Sequence, residues 1–289
     1  SDVYKRQGAG HAAIGESKAT GKVSVVNPTT GCGGTNTCTS VLDAYQDSVP
    51  VIFLSGNVKL DTTTNYLNRQ HNINLRKFGV QEHDIIGTMK SMCKATYFIE
   101  SADDVAFTLS NAMKVATSDR PGPVWIDVPA NVQTAVMPDV VDIDTPTERL
   151  ITKLDLSQVE QLWAQSKRPI IVAGYGIRHS NTVPEFIKFI HKHGVPYVST
   201  YGARDYTPYE DTYNIGTIGM RGSRAGNFAM QNADLLLILG SSLNNSHVGY
   251  DPATFAPHAV KVQIDIDKNE LLKNTVDVDL KITADLRDF

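Results

Sequence analysis

The chain has 289 residues, of which 41% are hydrophobic and 20% charged, a balance that excludes collagen, coiled coil and extended disorder and suggests two domains. Lys and Arg total 27 against 31 Asp and Glu, a formal net charge of −4 without any basic block, so nucleic acid is not an expected partner. No apolar run reaches the roughly 18 residues that cross a bilayer and no secretory signal opens the chain, which points to the cytoplasm and away from membranes; Cys32, Cys38 and Cys93 lack paired or zinc-like spacing and fit that reducing compartment.

Gly8 enters a helix-like segment, while Ser1–Gln7 supply no complete element of their own. Val23–Val26, Val51–Leu54 and Val124–Asp127 read as buried strands. Between them Thr37–Asp47 and Ala102–Thr117 read as helices. In the second, Val105, Leu109, Ala112, Met113 and Ala116 recur near a 3.6-residue period and are expected to share one buried face. Ser101 and Asp104 form a capping-box-like start, and Pro121 and Pro123 punctuate the exit into the next strand. Residues Met137–Glu148 are rich in Asp and Pro and read as a linker. Then follow helix Leu156–Gln165, strand Pro169–Ala173, helix Val183–His193, strand Pro196–Ser199, helix Ser223–Gln231, and strands Leu235–Leu239 and Val260–Asp265. The chain closes at Ile282–Phe289, after a further strand-like stretch. Alternation of this kind predicts α/β architecture: two doubly wound parallel-sheet domains.

Several segments could carry chemistry. Thr29–Asn36, with Gly31, Gly33 and Gly34, follows a strand and precedes a helix, where glycines allow positive φ and close approach of a ligand to the backbone. A tight strand-to-helix turn explains the same glycines. The spacing matches neither a phosphate-binding P-loop nor the dinucleotide fingerprint. Gly174 and Gly176 end a strand and read either as a turn or as the edge of a ligand crevice. Asp265 and Asp267 read as helix caps in preference to ribose ligands. His191 and His193 are two apart and cannot share a helix face as metal ligands. His11, Gln81 and Lys94 are unremarkable in isolation.

The order of segments resembles thiamine-diphosphate enzymes of the acetolactate synthase type. The resemblance runs through Gln7-Gly8-Ala9-Gly10-His11, Ala19-Thr20-Gly21-Lys22, Gly31-Cys32-Gly33-Gly34-Thr35-Asn36 and Asp43–Pro50. It continues through Ser55-Gly56, Gln81-Glu82 with Asp84, Lys94 and Arg120–Pro129. Further on, Ile218-Gly219-Met220-Arg221-Gly222, Asn232–Leu235 and Gln263–Asp267 resemble the central domain. The resemblance implies a pyrimidine-binding domain over residues 1–135, a linker over 136–155 and a central domain over 156–289. The family's diphosphate-binding domain, with its Gly-Asp-Gly motif, is absent, so the chain looks like a fragment of a three-domain enzyme. The implied activity is decarboxylation and carboligation of 2-oxo acids, with thiamine diphosphate and Mg²⁺ in the full-length protein and a homodimer or homotetramer as the assembly. Carried over by position, Gln7, His11, Gly31, Gly33 and Asn36 bind the cofactor's pyrimidine end, and Gln81 and Lys94 face the substrate channel.

Two further departures qualify the resemblance. Where the family places a glutamate that bonds the pyrimidine, this chain has Arg6, which can neither give nor receive that proton. No catalytic residue is therefore assigned in this chain, which is expected to be inactive alone, and Ser1–Gln7 are expected not to be the authentic upstream sequence. Acetolactate synthases proper also carry an Arg-Phe-Asp-Asp-Arg-like stretch for flavin. Here Ser241-Ser242-Leu243-Asn244-Asn245 follows the strand, Ser242 and Ser246 standing for the two arginines, so FAD is not expected. Two other readings stay open: a non-catalytic binding or regulatory protein built from these domains, and a nucleotide-binding protein using the central domain.

Overall fold

The computed structural model describes residues 3–137, 152–273 and 275–289. The chain divides into two compact units, Ser1–Glu148 and Arg149–Phe289. Both are α/β, with every strand pairing parallel.

The first unit starts with helix α1 (Val3–Thr20), earlier than the glycines suggest, and passes into β1 (Ser24–Val26). Helices α2 (Cys32–Thr35) and α3 (Cys38–Gln46) lead to β2 (Val51–Asn57), then α4 (Thr64–His71), α5 (Ile85–Met89) and β3 (Ala95–Phe98). A 3₁₀ turn at Ala102–Asp104 opens α6 (Val105–Thr117), and Ser101 caps that turn by accepting the Asp103 amide. Strand β4 (Val124–Pro129) and α7 (Ala130–Gln133) complete the unit. The sheet order is β1-β2-β4-β3.

Strand period sorts the residues of the two central strands. Val51, Phe53 and Trp125 pack on one face against Ala13, Ile14, Val41, Ala44, Ile85 and Met89. Ile52, Val124 and Ile126 pack on the other against Ala112 and Ala116 of α6. Phe53 pairs with Trp125 in register and their rings stack at 5.4 Å. Helix α6 corrects the expected face. Ala112, Ala116 and Thr108 are buried, whereas Leu109 and Met113 are 39% and 41% exposed. Leu109 and Met113 are four apart and share a side, but the sheet takes the stripe of smaller residues, which lets the helix lie close.

The second unit runs α8 (Ser157–Gln165), β5 (Pro169–Ala173), α9 (Gly176–His179), α10 (Val183–His193), β6 (Tyr197–Ser199), β7 (Asn214–Thr217), α11 (Arg224–Gln231), β8 (Leu235–Leu239), α12 (Asn245–Val248), β9 (Val260–Asp265), α13 (Lys268–Leu272) and β10 (Leu280–Thr283). Its sheet order is β10-β9-β8-β5-β6-β7. All five β8 residues are buried, because helices cover both faces of a central parallel strand. Leu235, Leu237 and Leu239 meet Ile171, Tyr197 and Phe186 on one side. Leu236 and Ile238 meet Val172, Val198 and Met230 on the other. Most of the linker read over 136–155 lies outside the described residues.

Ile238 sits wholly buried at the centre of that second layer. Ile238→Ala is expected to cost about 2–5 kcal/mol in chemical denaturation, since the cavity it leaves cannot fully collapse. A loss below about 1 kcal/mol contradicts this packing.

Candidate functional site

Ligands of open α/β sheets bind outside the carboxyl ends of the strands. In the first unit that edge gathers the turn after β1, the tips of β2 and β4, and the segment before α5.

Thr30 ties the turn to β2 by donating its hydroxyl to the Gly56 carbonyl at 2.7 Å. Gly31, at φ 56°, caps α2. A Cβ there would overlap the carbonyl oxygen of Gln81, itself left-handed at φ 59°. Gly31 and Gln81, far apart in sequence, thus lie backbone against backbone. Asn36 closes α2 by donating its amide to Cys32 at 3.2 Å. The buried Thr37 donates to the Gly34 carbonyl at 2.7 Å. At Gly33 the space a Cβ would fill is taken by the Thr29 methyl group and by the Arg6 guanidinium, reaching from α1. The structure therefore brings together Arg6, Gly31, Gly33, Asn36 and Gln81. Gln7, next on α1, is half-buried.

Two carried-over residues lie elsewhere. The His11 ring faces Asp43 of α3 at 3.5 Å, with both side chains more than 40% exposed, so it forms a surface pair. Lys94 precedes β3, at the amino end of the strands and opposite the Gly31 turn. Its ammonium donates to the Ser118 carbonyl at 2.7 Å and its stem packs on Gly122. Burial lowers its pKa, partly offset by Asp119. Within this unit Lys94 is held by the Ser118 carbonyl and lies apart from the Gly31 turn.

Sequence reasoning assigned no role to a buried polar network beside the turn. Ser55 and Asp127 are register partners, one step beyond Phe53 and Trp125 on the same face. Asp127 accepts from Ser55 Oγ at 2.5 Å and from Asn57 Nδ2 at 2.6 Å. Ser55 in turn accepts from Trp125 Nε1 at 2.9 Å. Burial pushes the Asp127 carboxyl above the usual range; the Ser55 and Asn57 bonds oppose that, while Asp84 and Glu82 add to it. Glu82 is buried and accepts the Thr64 hydroxyl. Asp84 caps α5 through the Gly87 amide at 2.9 Å. The signal was present: an acid ending the apolar run Val124-Trp125-Ile126 must find partners once buried. Among the described residues no cluster of three His, Cys, Asp or Glu is arranged for a metal ion.

In the second unit the glycine turn at 174–176 closes on protein. A Cβ on Gly174 would overlap the Gly240 carbonyl, and Gly176 donates its amide to that carbonyl at 2.9 Å. This close approach explains the glycines without a ligand. Asp267 caps α13 through the Asn269 amide, as read. His191 pairs with Asp211 at 2.9 Å. A cavity of 470 Å³ borders Leu243, Asn244, Asn245, Ser246, Lys273 and Thr275. Its one lysine is already engaged, by the Ser242 carbonyl and Glu270.

Two family models match this chain in the order of its units. The first, described as thiamine pyrophosphate enzyme, N-terminal TPP binding domain, covers residues 2–82; the second, the central domain of the same enzymes, covers 156–289. The chain belongs to the thiamine pyrophosphate enzymes. Among curated relatives it is 36% identical to the acetolactate synthase large subunit of Lactococcus lactis, over 97% of this chain and 47% of that protein. It is 33% identical to acetolactate synthase isozyme 2 large subunit of Escherichia coli, over 92% and 46%. A probable acetolactate synthase large subunit of Methanocaldococcus jannaschii is 32% identical, over 97% and 46%. The chain spans about half the length of these relatives.

Gly31→Ala tests the turn. Alanine at φ 56° is strained, and its methyl group meets the Gln81 carbonyl. The variant is expected to lose on the order of 2–3 kcal/mol in urea denaturation, with amide shifts at both Gly31 and Gln81. Unchanged stability with unperturbed Gln81 would contradict the backbone contact.

Proposed function

We propose that this chain is part of a thiamine-diphosphate-dependent enzyme that decarboxylates a 2-oxo acid and joins the product to a second carbonyl compound, as acetolactate synthases do. The carrying observation is the Gly31 turn locked against Gln81, in a chain whose two units match the pyrimidine-binding and central domains in order. On this reading residues 1–135 hold the pyrimidine end, 156–289 form the central domain and 136–155 link them. The assembly is a cytoplasmic homodimer or homotetramer that also uses Mg²⁺.

The residues present fit the cofactor in one respect and not in another. The Gly31–Gly34 turn, three glycines around the exposed Cys32 and braced by Thr30 and Thr37, supports close approach of a flat ring. Gln7, Asn36 and Gln81 supply polar groups around it. The proton relay does not fit, because the guanidinium at Gly33 offers donors alone where a carboxylate must accept. No proton-transfer step is assigned to Arg6, and with Arg6 in place binding without turnover is the expected behaviour of this chain. That observation favours the non-catalytic reading as the alternative. Flavin is not part of the proposal. Ser242 and Ser246 replace the two arginines, and Asn244 spends its side-chain oxygen on the Ser246 amide and hydroxyl at 3.1 and 2.6 Å.

Expressed from its complete reading frame, the protein is expected to release CO₂ from a 2-oxo acid, pyruvate being the first to try, only when thiamine diphosphate and Mg²⁺ are supplied. The present chain under the same conditions is expected to match a no-protein control. Turnover of the complete protein without thiamine diphosphate, or binding of the cofactor by the complete protein without any turnover, would overturn the enzymatic reading.

A further inference from the structure

His247 lies in α12 at the carboxyl edge of the second sheet, and both of its ring nitrogens are shut off from solvent without a hydrogen-bond partner. Buried imidazole nitrogens are ordinarily satisfied, so an orphaned pair marks a segment held in place by its neighbours. Those neighbours are identifiable. The Tyr201 ring lies 4.7 Å from the imidazole, tilted 52°. The Tyr201 hydroxyl donates to the Ser246 carbonyl at 3.2 Å and accepts the Arg221 amide at 3.0 Å. The Met220 amide donates to the same Ser246 carbonyl at 2.9 Å. Gly219 packs so closely on Ser246 and His247 that a Cβ there would collide with their backbone. One carbonyl, Ser246, thus joins α12 to the Gly219–Gly222 turn, and the imidazole sits beneath the joint.

The charges around the ring favour its neutral form. Arg204 stacks on Tyr201 at 4.9 Å and is the cation facing the imidazole. Arg221 contributes its backbone amide to Tyr201. From the following turn, Asp251 spends its carboxylate on the Ala253 amide at 3.3 Å. No carboxylate is bonded to the ring.

We propose that α12 is a proton-released latch: protonation of His247 drives the imidazole out to water, breaks the Met220 and Tyr201 bonds to Ser246, and frees the Gly219–Gly222 turn while the sheet below stays folded. An imidazolium cannot remain where it has no acceptor and faces an arginine. Burial, and secondarily Arg204, lower the His247 pKa to about 4, against an ordinary value near 6.5 once the ring is released. The released state therefore binds the extra proton, and opening grows more favourable as pH falls from about 6.5 towards 4.

Hydrogen exchange on the chain, corrected for intrinsic rates, tests this. Protection of residues 244–249 and of the Met220 and Arg221 amides is expected to fall about 30-fold between pH 7.5 and pH 5. Protection of Leu236–Ile238 stays constant. In His247→Phe, which keeps a ring but has nothing to protonate, the pH response is expected to vanish. A ring titration followed by NMR covers the case in which that variant fails to fold: the His247 signal must titrate together with the loss of latch protection. A flat wild-type profile, a parallel loss in Leu236–Ile238, or a ring that titrates near 6.5 beneath a protected latch each overturns the proposal.

Discussion

The candidate site depends on the register between β2 and β4. Parallel pairing sets Phe53 beside Trp125 and, two residues on, Ser55 beside Asp127. Because strand period is two, all four share one face. The lower pair is stacked carbon in the core and the upper pair is a hydrogen-bonded acid at the carboxyl edge. Trp125 joins the levels, its ring in the stack and its indole N–H on Ser55. A slip of one residue would send Asp127 to the opposite face, into the apolar layer that holds Ala112 and Ala116, and away from Asn57 and Ser55. The burial that fixes the hydrophobic layer therefore also fixes the acid.

From that acid the order propagates outward through short polar links. Asp127 holds Asn57, and Asn57 accepts the Val58 amide at 2.8 Å. The same β2 tip offers the Gly56 carbonyl to Thr30, which sets the Gly31 turn. Gly31 then receives the Gln81 carbonyl, and Glu82 beside it is buried on Thr64. Strand-edge and loop segments distant in sequence are thereby placed by a few short contacts. Asp127 cannot be exchanged for an apolar residue without stranding the Ser55 and Asn57 donors. Gly31 cannot gain a side chain.

Much of this architecture was legible in the sequence. β5 and β8 are legible as near-continuous apolar runs buried on both faces, and β9 as the alternating run Val260-Lys261-Val262-Gln263-Ile264-Asp265. β3 and β7 went unread, and β10 was seen only as a strand-like stretch. All three are edge strands, half-buried or alternating, and their short polar-interrupted runs carry little periodic signal. The glycine turn after β1 was visible, yet its contact with Gln81 was not, since no local pattern reports a partner fifty residues away. Lys94 raises the converse point. A matching position in the order of segments does not say which end of a strand the residue occupies, and Lys94 falls at the amino end.

The backbone of the candidate turn and the side chain that enters beside it have separate supports. The Gly31 turn is shaped by backbone needs alone, and Thr30, Thr37 and Gln81 maintain it whatever side chain comes from α1. Arg6 enters beside Thr29 at the space that Gly33 leaves empty. A carboxylate entering from the same helix would meet the same gap and the same backbone. Any acid–base work at that position would depend on the side chain itself, since a guanidinium is a poor proton donor and acceptor. A turn held through glycine and threonine contacts can therefore keep its backbone shape when the side chain entering beside it changes.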